Sequence, residues 1–505
     1  MKINRLEVLS KDEIRLIHNK TLELLENIGV RIESQEVKNF LKEHGVITNG
    51  ENKGGFVKFP EDLVREQLKK VPEEFTLYGP DGSFHFNVNT ENINFTTFGA
   101  TVKIYDPDEK KKIRKTTLQD AIKHIRIVNG LDNIVCSQVD VWPHDIPYTQ
   151  LHYYTIREWA RHSFKPYGMA CFGRTASQDM MNLTSIIVGS EAELKKNPRL
   201  IGVFNPTSPL RLTQILLNGL FVFARYNQPI LISAAASAGS TSPVTLCGTL
   251  IQANMEVVAS IVITQLINPG TPVLYGSTNT IMDPFTGNVA YGSMEFGLIT
   301  IGAAQLAHFY NIPSKGSGAL TDSKCFDIQN GYERFNTLLC AAYAGHNFIT
   351  CAGTYESTLS EALELLAIDD EMAGIIKRGL EGIKIDDETL ALNEIKKVAN
   401  ENKNYLMLKH TAKNTRKELF VPKLIDRNKR GIWNRAGSKD IVERAREKVE
   451  IILKTQEGPG VSPQTEDELN KYFKVIASRT LDDYRKLENM EDSDTPSEIS
   501  GVKIE

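Results

Sequence analysis

From about residue 93 the apolar residues gather in short unbroken runs, each ending in small or polar residues. The runs are Ile93–Gly99, Ile134–Val141, Pro166–Phe172, Leu200–Asn205, Pro229–Ala235, Pro272–Ser277, Ile312–Ser317 and Asn347–Gly353. Runs of this length predict buried strands. They recur every 29 to 43 residues, eight of them within about 260 residues. Between them lie segments with apolar residues at helical spacing: Leu118–Val128, Tyr148–Arg161, Leu210–Ala224, Thr245–Leu266, Met294–Phe309 and Tyr332–Ala344. Alternating strand and helix units imply a parallel sheet with right-handed crossovers. Eight units predict an α/β fold of the TIM (β/α)8 barrel type, since an open sheet averages about five to six strands. No GxGxxG follows the first run, so a dinucleotide-binding fold has no support.

The flanks differ in pattern. Ser10 and Glu13 have capping-box spacing, followed by Ile14, Ile17, Leu22, Leu25 and Ile28 on one helical face. A second helix carries Val37, Phe40 and Leu41; Val57–Val71 reads as a strand and a Pro-initiated helix. Phe75–Phe86 reads as a hairpin turning at Pro80-Asp81-Gly82. After the eighth run the chain is mostly helical to Ile452, with a long charged helix from Lys439 to Lys454. Gly458-Pro459-Gly460 opens the last stretch, which holds a short helix near Leu469–Tyr484 and an acidic tail around Glu491, Asp492 and Asp494. The expected organisation is an N-terminal α+β cap (1–92), the barrel (93–365), a C-terminal helical region (366–455) and an extension with a flexible acidic tail (456–505).

Composition narrows the class. The chain has 505 residues, 41% of them apolar and 24% charged, with a net charge of -4. It lacks the basic excess of a nucleic-acid binder. Six cysteines without a CxxC pair or a histidine at ligand spacing argue against a disulfide scaffold or a structural zinc. The greasiest stretch, Val257–Ile267, is interrupted by Gln265 and reads as a buried helix too short to span a bilayer. Without an apolar signal core near Met1, the expectation is a soluble cytoplasmic protein that engages neither nucleic acid nor membrane.

In a TIM barrel the chemistry sits at the C-terminal ends of the strands. Those positions are rich in aromatics (Phe98, Trp142, Phe172, Tyr275, Tyr355) and in Gly, Ala and Ser, but poor in acids and bases. Rings with few carboxylates suit a quaternary ammonium, which donates no hydrogen bond and is held by ring quadrupoles at about 0.5–2 kcal/mol per contact. The alternative is that the rings simply fill the barrel mouth. Glu356 either counters the cation or is solvated. The small residues leave room for a large planar partner above a small substrate, or serve close helix–strand packing.

Several motifs resemble the trimethylamine methyltransferase superfamily, in the branch that lacks pyrrolysine and includes glycine betaine, proline betaine and carnitine methyltransferases. They are Leu9-Ser10-Lys11-Asp12-Glu13-Ile14, Leu24-Leu25-Glu26-Asn27-Ile28-Gly29-Val30, Phe75-Thr76-Leu77-Tyr78-Gly79 and Asn205-Pro206-Thr207-Ser208-Pro209-Leu210-Arg211-Leu212. Ser242-Pro243-Val244-Thr245-Leu246, Val273-Leu274-Tyr275-Gly276-Ser277 and Thr321-Asp322-Ser323-Lys324 add to them. The resemblance implies a TIM barrel, a partner corrinoid (cobalamin) protein, and methyl transfer from an amine to its Co(I), with no cofactor bound by this chain. The position of pyrrolysine falls on Leu320, which forms no adduct with an amine lone pair. A quaternary amine has no lone pair to capture and leaves as a neutral tertiary amine. The expected activity is therefore methyl transfer from glycine betaine, giving dimethylglycine, or from proline betaine, carnitine or gamma-butyrobetaine. No covalent catalytic residue is expected; the protein's work is positioning and desolvation.

On this reading Phe98, Trp142, Phe172, Tyr275 and Tyr355 are the cage candidates, with Tyr105 weaker. His346 leads as donor to a betaine carboxylate, ahead of Asn205 and Arg174. Asp322, Gln329 and Ser277 are expected to face the corrinoid, and Asp327 to cap the helix that follows it. Cys171 and Cys351 read as buried small hydrophobes. Two other classes stay open: a barrel aldolase or decarboxylase with an imine on Lys315, and a betaine-binding or corrinoid-docking protein without catalysis. The helical C-terminal region is a possible self-association surface.

Overall fold

The computed structural model describes residues 4–48, 55–401 and 404–489; the acidic tail expected from the sequence lies outside them. Eight parallel strands close into a barrel in chain order. They are β1 (Asn94–Thr96), β2 (Ile134–Gln138), β3 (Tyr167–Ala170), β4 (Leu200–Phe204), β5 (Ile230–Ala234), β6 (Val273–Ser277), β7 (Ser314–Ser317) and β8 (Phe348–Thr350). Each falls inside one of the eight predicted runs. The helices that follow them are α1 (Leu118–Gly130), α2 (Leu151–His162), α3 (Arg174–Val188), α4 (Gln214–Arg225), α5 (Leu246–Ile267), α6 (Met294–Tyr310), α7 (Ile328–Ala344) and α8 (Leu363–Leu380).

Local chemistry sets the helix starts. A Thr117–Asp120 capping box opens α1, and Asp327 caps α7 by accepting the Asn330 N–H. Helix α5 is apolar all round and long enough, by length and composition alone, to cross a membrane. Here it is wedged between the barrel and the N-terminal helices Lys11–Asn27 and Glu61–Leu68, which leaves it almost wholly buried. The apolar stretch is thus longer than the sequence reading allowed, though buried as expected.

Side-chain alternation sends Ile201, Leu231 and Leu274 into the barrel, where they form one buried cluster with Phe348 and with Phe75, Leu77 and Val88. The last three belong to the hairpin Glu74–Tyr78/His85–Asn89. Its Tyr78 N–H donates to the Pro198 carbonyl, and Asn94 Nδ2 donates to Asn87 O. The hairpin therefore plugs the N-terminal end of the barrel, and only the C-terminal end is left for ligands.

Three further pieces pack around the barrel. A small sheet orders Thr354–Tyr355, Ser360–Glu361, Lys103–Tyr105 and Ile113–Lys115. Helix Ile441–Thr455 packs on α8 and α1. Helix Pro463–Ala477 buries Leu469 and Ile476 against α3 and leads into the last described helix, Leu481–Leu487.

Candidate active site

A cavity of about 370 Å3 opens at the C-terminal ends of the strands. Its walls are mostly apolar. Trp142 stacks on Tyr148 at 5.8 Å between ring centroids, and Phe172 meets Tyr148 edge-on at 5.8 Å. All three rings line the cavity, forming a continuous aromatic wall. Phe98, at φ +70°, lines it as well and meets Phe348 of the barrel interior edge-on at 5.0 Å. Gly168 makes room for that ring, since a Cβ there would lie 2.5 Å from the Phe98 ring carbons. Met169, Val203 and Leu231 complete the apolar lining.

The polar side is a belt of hydroxyls contributed by successive strands. Ser233 Oγ lies 3.0 Å from Thr278 Oγ1, Thr278 3.3 Å from Ser317 Oγ, and Ser317 3.4 Å from Thr350 Oγ1. Lys315 projects from β7 into this belt, with Nζ donating to Thr278 (2.5 Å) and Ser317 (2.8 Å). Burial lowers its pKa to about 8. Asn205 lines the cavity too, with one of its two Nδ2 hydrogens donated to the Ser233 carbonyl at 2.9 Å.

Leu481, Tyr484 and Glu488 close one side of the cavity. The Tyr484 hydroxyl donates to Thr149 O, and the Glu488 carboxylate accepts the N–H groups of Arg174 and Thr175 at the start of α3. Gly173, at φ +67°, permits this approach; a Cβ there would meet the carboxylate at 2.9 Å.

Of the residues selected from sequence, Phe98, Trp142, Phe172 and Asn205 share this cavity, as do Lys315 and Cys351, read there as an imine former and a small hydrophobe. The others stand elsewhere. Tyr275 follows the inward Leu274 by one position, so it faces the helices and donates to Asn254 Oδ1 at 2.9 Å. Tyr355 is buried in the small sheet, edge-on to Phe326, where Tyr105 also packs. His346 lies behind β7 and not in the barrel: Nε2 contacts Thr300 O at 2.9 Å and Nδ1 contacts Ser314 Oγ at 3.0 Å. A Cβ on Gly316 would lie 2.4 Å from its ring. Arg174 turns to Glu36 at 2.6 Å. Glu356 accepts from Ser360 Oγ at 2.6 Å.

The three residues expected to face a corrinoid are also engaged within the protein. Asp322 accepts from Tyr291 N, Gly292 N and Ser357 Oγ, clasping the loops after β6, β7 and β8. Gln329 donates to Glu333. Ser277 is buried and accepts from Asn279, so no docking partner reaches it. Leu320 is buried with Phe296, Tyr291 and Cys351, the last two being cavity residues. Cys171 is buried outside the cavity.

Tyr148, Tyr291 and Tyr484 line the cavity without being among the residues the sequence singles out. Tyr148 had a local signal, because it follows β2 in the same loop as Trp142. The sequence singles out Lys315 as an imine former.

A closed parallel barrel with an aromatic chamber at the carboxyl ends of its strands defines the class: a TIM-barrel protein with a chamber of small-molecule size at the open end. Within that class, the model of the trimethylamine methyltransferase (MTTB) family matches residues 1–480, and the chain belongs to that methyltransferase family. It is 31% identical over 468 residues to the glycine betaine methyltransferase of Desulfitobacterium hafniense strain Y51, covering 92% of this chain and 96% of that one. It is 34% identical over 466 residues to trimethylamine methyltransferase MttB of Methanosarcina barkeri, covering 90% and 91%. The crystal structure of the Methanosarcina barkeri monomethylamine methyltransferase MtmB aligns over 89% of each chain, with a TM-score of 0.49 and 11% identity. The family match stops just before Leu481, so the helix that supplies Tyr484 to the cavity lies beyond it.

Proposed function

We propose that this protein transfers a methyl group from a quaternary amine to the Co(I) corrinoid of a partner protein, with glycine betaine as the first-choice substrate and dimethylglycine as the product. The observation that carries the reading is the Trp142–Tyr148–Phe172 wall at the open end of the barrel; the resemblance, which puts the pyrrolysine position at Leu320, supports it. Ring faces hold a permanent cation without donating hydrogen bonds. The corrinoid supplies the nucleophile, Co(I). The methyl group leaves a neutral tertiary amine, which needs no proton. What remains for this chain is to hold the N–CH3 bond in line and to keep water out, a role for apolar walls.

Proline betaine, carnitine and gamma-butyrobetaine form the second reading, favoured by a chamber of about 370 Å3 that has room beyond the smallest betaine. The deciding experiment mixes the protein with reduced cognate corrinoid protein and a panel of quaternary and tertiary methylamines. The expected result is a methyl-Co(III) spectrum with a betaine and none with trimethylamine. Turnover of trimethylamine would refute the argument from Leu320. Betaine binding without cobalt methylation would leave a binding protein instead of an enzyme.

A further inference from the structure

We propose that Lys315 is the anion anchor of the cavity: its ammonium pairs with the carboxylate of a zwitterionic substrate and turns the methylated nitrogen outward, toward the aromatic wall and the open end. This deepens, and rests on, the quaternary-amine reading above.

Lys315 is 4% exposed, and its Nζ is surrounded by oxygens that carry no charge: the hydroxyls of Thr278, Ser317 and Ser233 and the carbonyl of Ser277. No carboxylate pairs with it among the described residues. Its three N–H groups have oxygens to meet, but a buried charge without a counter-ion is costly, so a carboxylate that takes the place of a long contact, Ser233 Oγ or Ser277 O at 3.4 Å, is favoured. Glu488, the single carboxylate lining the cavity among the described residues, is already occupied by Arg174 N, Thr175 N and Asn218 Nδ2. The anion is therefore supplied from outside. A bare cation such as tetramethylammonium would meet an unscreened positive charge, whereas a betaine neutralises it before presenting its own cation.

Position sets the direction. Lys315 rises from within β7, below the strand end, while Trp142, Tyr148 and Phe172 belong to the loops after β2 and β3. A substrate held by its carboxylate at Lys315 thus has its methyl groups on the side from which a large partner approaches. The same placement explains why His346, Arg174 and Asn205 are not needed as carboxylate donors.

The test compares binding of glycine betaine and choline, which share a trimethylammonium group but not the carboxylate, to the wild type and to Lys315→Met. The wild type should prefer glycine betaine. Lys315→Met should lose about 10- to 100-fold in betaine affinity, the range of a buried charge-assisted hydrogen bond, and should hold or gain choline affinity. Equal losses for both ligands, or none for betaine, overturn the anchor. Where the variant does not fold, the wild-type pH profile decides. Betaine affinity should fall above about pH 8, by about tenfold per unit, as the ammonium loses its proton, with choline affinity flat or rising.

The titratable groups that line the same cavity are Cys351, Tyr291, Tyr148, His152, Tyr484 and Glu488, and behind β7 stands His346, whose imidazole burial holds neutral. A flat betaine profile overturns the proposal, as does borohydride trapping of an imine on Lys315. If the wild type binds neither ligand, the quaternary-amine reading itself falls; if it binds and demethylates betaine without Lys315, only the anchor does.

Discussion

Glu488 places its carboxylate on the N–H of Thr175 at 2.7 Å, joining the end of the described chain to the first turn of α3. The Arg174 N–H (2.8 Å) and Asn218 Nδ2 (2.9 Å) donate to the same group. A carboxylate at a helix N-terminus satisfies orphan donors and meets the positive end of the helix dipole. Glu488→Ala should therefore cost about 1–2 kcal/mol. Because Leu481 and Tyr484 line the cavity on the same segment, that side of the chamber should loosen as well. Hydrogen exchange at the Arg174 and Thr175 amides, with limited proteolysis near Thr480, reads both effects. Unchanged protection in the variant would show that the carboxylate does not hold the segment.

The aromatic wall makes a paired prediction. Trp142→Ala removes a ring face from the cavity and should weaken binding of a quaternary ammonium by roughly 0.5–2 kcal/mol, about 2- to 30-fold. Tyr275→Phe should leave that affinity unchanged, since the Tyr275 hydroxyl meets Asn254 outside the barrel; it should instead lower stability by about 1 kcal/mol. Calorimetric titration and urea unfolding of both variants separate the roles. A binding loss in Tyr275→Phe equal to that in Trp142→Ala would contradict the placement of the two rings.

Much of the scaffold was legible because a buried parallel strand leaves a local signature. Leu200–Phe204 and Ile230–Ala234 are buried on both faces and apolar save for Gly202 and Ser233, and they end in Asn205-Pro206 and Ala235-Ala236-Ser237. Parity at a strand end left no such mark: nothing local tells whether Leu274 or Tyr275 faces the lumen, and a one-residue offset reverses the answer. Helix α3 went unread because Thr175, Ser177, Asn182, Thr184 and Ser185 dilute its apolar stripe, and its burial under helix Pro463–Ala477 is a contact remote in sequence. The contribution of Tyr484 and Glu488 is remote in the same way. Lys315 was visible, but its lack of a carboxylate partner is a three-dimensional fact.

Gly316 and His346 yield a test of the histidine's placement. A methyl group at position 316 would meet the His346 ring at 2.4 Å, on the outer face of β7. Gly316→Ala should destabilise by about 1–3 kcal/mol, the range for overpacking a filled site. His346→Ala in the same background should recover part of that loss. Neither change should alter the preference for glycine betaine over choline in the folded fraction, because the imidazole contacts Thr300 and Ser314 instead of the cavity. Loss of that preference in His346→Ala would return the histidine to the list of carboxylate donors.

A buried acid cluster beneath the small sheet predicts a pH-dependent stability. Glu361 is fully buried, neither of its oxygens has a hydrogen-bond partner, and His124 Nε2 stands 3.6 Å away. Burial, with Asp140 close by, raises the Glu361 pKa well above its ordinary value, while burial holds His124 neutral down to about pH 3. Arg334 pulls the other way but is committed to Asp369. Glu361 thus keeps its proton in the fold after the unfolded chain has released it near pH 4.5. A raised carboxyl pKa contributes stability that is present below that pH and is lost as pH rises toward the folded value. Glu361→Gln has no proton to lose, so the wild type should fall behind it by up to about 1.4 kcal/mol per pH unit above pH 4.5. Groups remote from Glu361 titrate alike in both proteins and cancel in the difference, whereas Asp140, pushed up to about 7 by burial, and Asp369, pushed up to about 6, share its cluster and add to the pH-dependent part. Urea unfolding of the pair between pH 5 and 8 measures it, and a difference that stays constant with pH would mean that Glu361 is ionised in the fold.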